Sequence, residues 1–234
     1  MPSISLVIAA YNEATTLRPV FDRCLAVLQE CSEDYEIIIL DDASTDETGA
    51  IAENIREGHP EVVHVRSHAT NRGIAVTFEE LYDAATKEYI FDAPADGEYP
   101  PEVLPQILPL LDKYSIVVCN RTFKKYTAYR RLVSHLYRVL PRVLFGVELY
   151  DPGSTKCRSK AIVEEITITS KGVFAEAERL IRAARRGHRI GKVDITPARR
   201  LAGDPQGAKL RNVVQAAVDL CCLWLRLIVL RQKP

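Results

Sequence analysis

The feature that most constrains this chain is an arrangement that occurs four times: an apolar run ends, and an acidic or amide-bearing stretch begins at once. Ile4 to Ala10 run into Tyr11-Asn12-Glu13, and Ile37 to Leu40 into Asp41-Asp42-Ala43-Ser44-Thr45-Asp46. His68-Ala69-Thr70-Asn71-Arg72-Gly73 follows the run at 62 to 65, and Tyr89-Ile90-Phe91 opens into Asp92-Ala93-Pro94-Ala95-Asp96-Gly97-Glu98. In an open parallel sheet the strand exits line one crevice, so four polar exits close together in the chain describe a ligand site. An enzyme or a nucleotide binder is the leading reading.

The segments between the exits carry helical periodicity. Leu17, Val20, Phe21, Cys24, Leu25 and Leu28 recur at three- and four-residue spacing, which predicts a helix over about 14 to 30. The run at 36 to 40 is unbroken rather than alternating, as for a strand covered on both faces. Ser44 or Asp46 then caps a helix to about Arg56, and helices follow over 74 to 85 and 102 to 111, with a strand at 115 to 119. Strand and helix alternate throughout, which predicts a three-layer α/β domain with a mostly parallel, mixed sheet flanked by helices. The first exit lacks Gly-x-Gly-x-x-Gly, and no Gly-x-x-x-x-Gly-Lys-Ser/Thr loop occurs. Dinucleotide and P-loop sites are therefore not expected.

Acidic and basic residues are equal in number, 31 each, so no global field recruits nucleic acid. The six cysteines form no Cys-x-x-Cys pair and no cluster with histidine, and they read as reduced residues rather than zinc ligands. The start of the chain enters a strand-like run within three residues and carries no signal segment, from which secretion is not expected.

At Asp41 and Asp42, carboxylates beside a strand exit can accept hydrogen bonds from a base N–H or a ribose hydroxyl; the alternative is capping of the next helix, more so for Asp46. Asn71 and Gly73 mark either an ordinary turn or a close backbone approach to a phosphate or ribose. Asp92, Asp96 and Glu98 concentrate three carboxylates on one exit, suited to a hard divalent cation that takes one or two carboxylates plus substrate phosphates. The competing reading is a solvated acidic loop closed by Pro100-Pro101.

As an ordered set, Val7 to Glu13, Leu40 to Asp46, Asn71-Arg72-Gly73 and Ala95-Asp96-Gly97-Glu98-Tyr99-Pro100-Pro101-Glu102 resemble the inverting nucleotide-sugar glycosyltransferases of the GT-A fold, family 2. Within that family the polyprenyl-phosphate group is the most similar. The resemblance runs on through Asp151 and through Glu178-Arg179-Leu180-Ile181-Arg182-Ala183 to Arg200-Leu201-Ala202-Gly203. It implies that Ala9, Tyr11 and Glu13 line the nucleotide site with Asn71 and Gly73, that Asp41 and Asp42 contact base and ribose, and that Arg200 meets the diphosphate. Asp96 holds Mg²⁺ or Mn²⁺ in this reading, supported by Glu98 or Asp92. The family's Asp-x-Asp has Pro94 at its first position here, and Pro197 replaces a customary histidine before Arg200.

The resemblance further implies a UDP- or GDP-sugar donor and a polyprenyl phosphate acceptor, with Asp151, Glu178, Arg121 and Arg131 on the acceptor side. A phosphate acceptor is already anionic and demands positive charge more than a strong base. From Arg121 to Arg142 there are seven Lys or Arg residues and no acid. Arg131, His135 and Arg138 share one helical face, with Tyr129, Leu132, Leu136 and Val139 or Leu140 on another; Pro141 is expected to end or kink this helix. Such a helix either lies at an anionic membrane surface or presents a solvated basic face with its apolar side in the core. Glu178 has a plain structural alternative as the i,i+4 partner of Arg182.

The expected organisation is a glycosyltransferase domain over 1–211, with a nucleotide-sugar half at 1–120 and an acceptor half at 121–211. An apolar helix at 212–234 is expected to be interfacial or core-packing, because Asp219 and Arg226 interrupt its most apolar part. Cytoplasmic placement, peripheral on the membrane's cytoplasmic face, follows from this reading, with a homo-oligomer as one use of the apolar helix. Transfer to a soluble glycan or metabolite hydroxyl, and non-catalytic nucleotide-sugar binding, are the alternatives.

Overall fold

The computed structural model describes residues 2–122, 128–170, 172–197 and 210–233. Seven strands form one sheet: β1 Ile4–Ala10, β2 Tyr35–Asp41, β3 Val63–Ser67, β4 Tyr89–Asp92, β5 Ile116–Arg121, β6 Lys156–Ser159 and β7 Ile190–Ile195, in the order β3-β2-β1-β4-β6-β5-β7. All neighbours pair in parallel except β6, which runs antiparallel to both β4 and β5. One edge of the sheet therefore gathers the ends of β1, β2, β4 and β5 and the start of β6.

The apolar runs behave as their composition requires. Every residue of β1 is buried, and α1 (Leu17–Cys31) covers one face through Leu17, Val20, Phe21, Cys24 and Leu28. Helices α2 (Thr48–Gly58) and α3 (Ile74–Ala84) complete the first three crossovers. The expected helix at 102 to 111 is broken into a 3-10 turn at Pro101–Val103, a single turn α4 (Leu104–Ile107) and a second 3-10 turn at Leu108–Leu110. Pro101, Pro105 and Pro109 lack the N–H groups that a continuous helix needs.

The second half holds α5 (Ala128–Phe145), α6 (Lys160–Glu165), α7 (Ala175–Arg185) and α8 (Leu210–Trp224), the last extended by a π-turn at Leu225–Val229. Helix α5 passes through Pro141, which is buried, and stops at Gly146, whose φ of 71° is a conformation that favours glycine. Phe145, Leu149, Phe174, Leu180, Ile181, Ala216, Leu220 and Leu223 pack α5, α7 and α8 into one core. Sequence periodicity assigns no element to β6 or α6. The sequence of β6, Lys-Cys-Arg-Ser, carries charge where a strand normally carries Val or Ile.

Candidate active site

The first two exits are laced together. Asn12 N–H donates to Ser44 Oγ (2.9 Å), Thr45 N–H to Asn12 Oδ1 (2.8 Å), Glu13 N–H to Thr48 Oγ1 (2.8 Å) and Ala14 N–H to Asp46 Oδ2 (3.2 Å). Asp46, one residue before the N-cap Glu47, also takes the N–H of Thr48, the first residue of α2, at 3.0 Å, while Ser44 turns to Asp41 and Asn12. Ala9 is buried at the end of β1, Tyr11 is 47% exposed at the mouth, and Glu13 accepts from Thr16 Oγ1 at 2.7 Å.

Asp42 binds the third exit. Its oxygens accept the N–H groups of Arg72 and Gly73, each at 2.8 Å, and Asn71 Nδ2 donates to its carbonyl at 3.2 Å. Gly73 adopts φ 85°, a backbone conformation that favours glycine, and a Cβ there would meet no protein atom within 4 Å. His68 is held between two carboxylates, Nδ1 at 2.6 Å from Asp42 and Nε2 at 2.9 Å from Glu80. Both ring nitrogens face acceptors, which favours the doubly protonated ring.

This arrangement has a pH consequence. Burial opposes the charged imidazole, but the hydrogen bonds to Asp42 and Glu80 outweigh it and raise the His68 pKa above 6.5. Burial pushes the Asp42 carboxyl up, but the Arg72 and Gly73 amides and His68 outweigh it and hold it below 3.8. The His68 contribution is complete below its unfolded value and is lost as pH rises through the raised folded one; the Asp42 contribution is complete above its unfolded value and is lost as pH falls through the lowered one. His68→Gln should therefore cost about 1.5–3 kcal/mol at about pH 5.5, and less at about pH 9. Urea melts at the two pH values test this, and a pH-independent penalty contradicts it.

The fourth exit meets the second half of the chain at Arg121. At the end of β5, Arg121 grips Asp151 with two bonds (Nε–Oδ2 2.7 Å, Nη2–Oδ1 3.0 Å) and Glu98 with a third (Nη1–Oε1 2.8 Å), its guanidinium 5.5 Å from the Tyr99 ring centre. Asp96 sits just before this pair, its Oδ1 accepting the Glu98 N–H at 3.0 Å across Gly97 at φ 68°. No group of three or more His, Cys, Asp or Glu among the described residues holds a metal alone. The donor set nevertheless suits a hard cation, because Mg²⁺ or Mn²⁺ at such a site takes one or two carboxylates and draws the rest of its shell from phosphates and water.

Two sequence expectations, Asp92 as a metal ligand and Glu178 as a catalytic group, are corrected by this geometry. Asp92 is buried beneath the site, and its Oδ2 is taken by Arg158 at 2.6 Å. Glu178 is fully buried and accepts from Thr169 N (3.1 Å) and Oγ1 (3.0 Å), Ser170 N (2.8 Å) and Oγ (2.6 Å), and Arg182 Nε (2.8 Å). It staples a loop and is unavailable as a catalytic group. Arg131 is exposed on α5, while Arg130 and Arg138 line a groove beside the site. Arg200 lies outside the described residues.

That groove, about 270 Å³, begins at Arg121, Asp151 and Gly153 and runs between α5 and α8 over Val133, Leu136, Tyr137, Leu140, Phe174, Val213, Ala216 and Leu220. The helices that flank it keep apolar stripes in the open: Leu132, Leu136, Val139 and Val143 on α5, and Leu210, Val214, Val218, Leu225 and Val229 along α8 and its extension. Among the described residues Tyr129, Leu132, Leu136 and Val139 of α5 are thus exposed, while Tyr137, Leu140, Leu144 and Phe145 pack against the core. Residues Leu210–Val229 are long and apolar enough to cross a membrane by length and composition.

A mixed sheet of this order, flanked by helices on both faces, defines the GT-A fold. The chain matches the family model "Glycosyl transferase family 2" over residues 5–167, and it belongs to that family. It is 27% identical over 215 residues to the undecaprenyl-phosphate mannosyltransferase of Micrococcus luteus, covering 85% of this chain and 84% of that one. It is 26% identical to the polyprenol monophosphomannose synthase of Mycolicibacterium smegmatis, covering 85% and 78%. Among solved structures, glucosyl-3-phosphoglycerate synthase from Mycobacterium tuberculosis with Mn²⁺, UDP and phosphoglyceric acid superposes with a TM-score of 0.75 at 20% identity, covering 95% of this chain and 78% of that one. A mannosyltransferase from Pyrobaculum calidifontis with GDP-Man and Mn²⁺ gives 0.69 at 18% identity, covering 96% and 64%.

Proposed function

We propose that this glycosyltransferase moves a sugar from a UDP- or GDP-sugar to a polyprenyl phosphate, with inversion, at the cytoplasmic face of a membrane. The observation that carries the reading is the groove. Arg121, Arg130 and Arg138 line it together with a mostly apolar set of side chains, which matches a phosphate head joined to a hydrocarbon tail. The relatives named for undecaprenyl and polyprenol substrates support the same acceptor class.

In this reading the laced loops at 11–16 and 42–48 receive the nucleoside, and Asp96, supported by Glu98, holds Mg²⁺ or Mn²⁺ against the diphosphate. The bound cation supplies charge neutralisation to the departing nucleoside diphosphate. The acceptor phosphate arrives ionised, so one of its oxygens attacks the anomeric carbon opposite the leaving group with no base to abstract a proton. Asp151 orients the Arg121 guanidinium that steadies that phosphate. The exposed stripes of α5 and α8 lie in the interface of an anionic bilayer. The arginines of α5, with no carboxylate on that helix, meet the lipid charge.

The test combines donor and acceptor. Labelled UDP- and GDP-sugars are offered with Mn²⁺, polyprenyl phosphate and anionic vesicles, and the label is expected to extract into organic solvent. Leu132→Asp with Leu136→Asp should lower vesicle sedimentation about tenfold or more while nucleotide affinity stays unchanged, since each buried Leu is worth about 1.5–3 kcal/mol. Label confined to water, with no vesicle binding by the intact protein, would defeat the lipid reading in favour of a soluble acceptor.

A further inference from the structure

Beneath the active-site edge lies a buried ionic cluster that the transfer chemistry does not use. Arg158, fully buried on β6, donates to Asp92 Oδ2 (2.6 Å) at the end of β4 and to both carboxylate oxygens of Glu176 (3.0 and 3.2 Å) in the first turn of α7. Lys156, two residues earlier on the same face of β6, lies 3.1 Å from Glu176 and 4.0 Å from Asp92 and donates to the Ser154 carbonyl at 2.5 Å. Arg179 continues the chain to Glu79 on α3, and the Tyr82 ring lies 4.3 Å from the Arg158 guanidinium. Three buried cations thus face three carboxylates.

Such a cluster is a poor way to gain stability, because desolvating the charges offsets most of their attraction. Arg158 Nε and Arg179 Nε also lack a hydrogen-bond partner among the described residues. Burial pushes the Glu176 carboxyl up, but Arg158, Lys156 and Arg179 outweigh it and hold it well below the usual range, so the group stays charged. What the cluster does supply is a fixed relation between elements. The strands β4 and β6 are antiparallel, with Phe91 opposite Cys157, so the end of one and the start of the other share the active-site edge. Asp92 lies four residues before Asp96. Lys156 lies five residues after Asp151 and holds the backbone of its loop at Ser154.

We infer that Asp92, Lys156, Arg158 and Glu176 are positioning residues that set the distance and angle between the donor carboxylate Asp96 and the acceptor-side pair Arg121–Asp151. They touch neither substrate. The inference rests on the transfer reaction proposed above, and it predicts an effect confined to the step in which both sides must be aligned. A displacement of about 1 Å between reacting groups can cost about a hundredfold in rate.

The test separates alignment from binding and from folding. Asp92→Leu with Arg158→Met removes one charge of each sign and keeps the net charge of the cluster, and Lys156→Met removes the tie to the acceptor loop together with the cation beside Glu176. For each variant the melting temperature, nucleoside diphosphate affinity, slow hydrolysis of the sugar nucleotide by water and transfer to polyprenyl phosphate are compared with the parent. The double variant should melt within a few degrees of the parent, bind nucleotide and hydrolyse donor within about twofold, and lose transfer by at least about tenfold; Lys156→Met should show the same split. Unchanged transfer in a folded variant overturns the inference, as does a parallel fall in nucleotide affinity, hydrolysis and transfer, which marks a general scaffold. If the double variant does not fold, Lys156→Met alone decides. Failure of the parent itself to transfer to the lipid overturns the acceptor reading instead, and the ratio of transfer to hydrolysis on whichever acceptor serves then tests the cluster.

Discussion

Asp96→Asn lowers sugar transfer by about a hundredfold to a thousandfold and abolishes the response to Mn²⁺, while the melting temperature barely moves. The expected size is that of removing one group aimed at charge developing in the transition state. The change keeps the side chain's volume and its ability to accept the Glu98 N–H, so the turn at Gly97 survives. It removes the negative charge that a hard cation requires. Glu98 cannot take over alone, because its Oε1 is 2.8 Å from Arg121. Steady-state transfer rates across a Mn²⁺ titration, with a melting curve for each protein, check the expectation. Parental activity and metal response in the Asp96→Asn variant would place the diphosphate elsewhere.

The second large effect is on folding. Glu178→Ala should destabilise the protein by about 3–5 kcal/mol, since it leaves Arg182 uncompensated in a buried setting and strips the partners from two amides and two hydroxyls. At a temperature where the variant is still folded, turnover per folded molecule should stay within about threefold of the parent. Denaturant melts and activity corrected for the folded fraction separate the two readings. A stable variant with transfer reduced a hundredfold would restore Glu178 to the chemistry.

The donor half was readable because its residues have one job each. Val7 and Ile8 on β1, and Ile38 and Ile39 on β2, are apolar on both faces because helices cover both, and an unbroken run can mean little else in a chain with such exits. The helix α1 is periodic because one face alone is buried. The second half was harder for physical reasons. The strand β6 hides its character because Lys156 and Arg158 point into a charged interior, while Cys157 faces the apolar core.

That same alternation was the signal missed for Asp92. A strand alternates faces, so Asp92 lies on the side of Ile90 and opposite the side of Phe91. A Lys-x-Arg strand elsewhere offers two charges at the matching period of two. Local sequence assigns Asp92 an exit position but not a direction. The clustering of arginines on α5 was legible, while which of them line the groove depends on how α5 packs against its neighbours. Glu178 and Arg182 announced their pairing by spacing, but the capture of Thr169 and Ser170 by the same carboxylate is a tertiary contact without a local signature.

The lacing of the first two exits, with Asp42 clasping the third, bears on how the donor is admitted. Main-chain amides at 12, 13, 14, 45, 72 and 73 are already committed to side chains of neighbouring loops. The conformational entropy of these loops is therefore surrendered once, when the chain folds, and not again at each catalytic cycle. If these loops receive the nucleotide as proposed, its capture resembles a key entering a cut lock as far as residues 12–14, 45 and 72–73 are concerned.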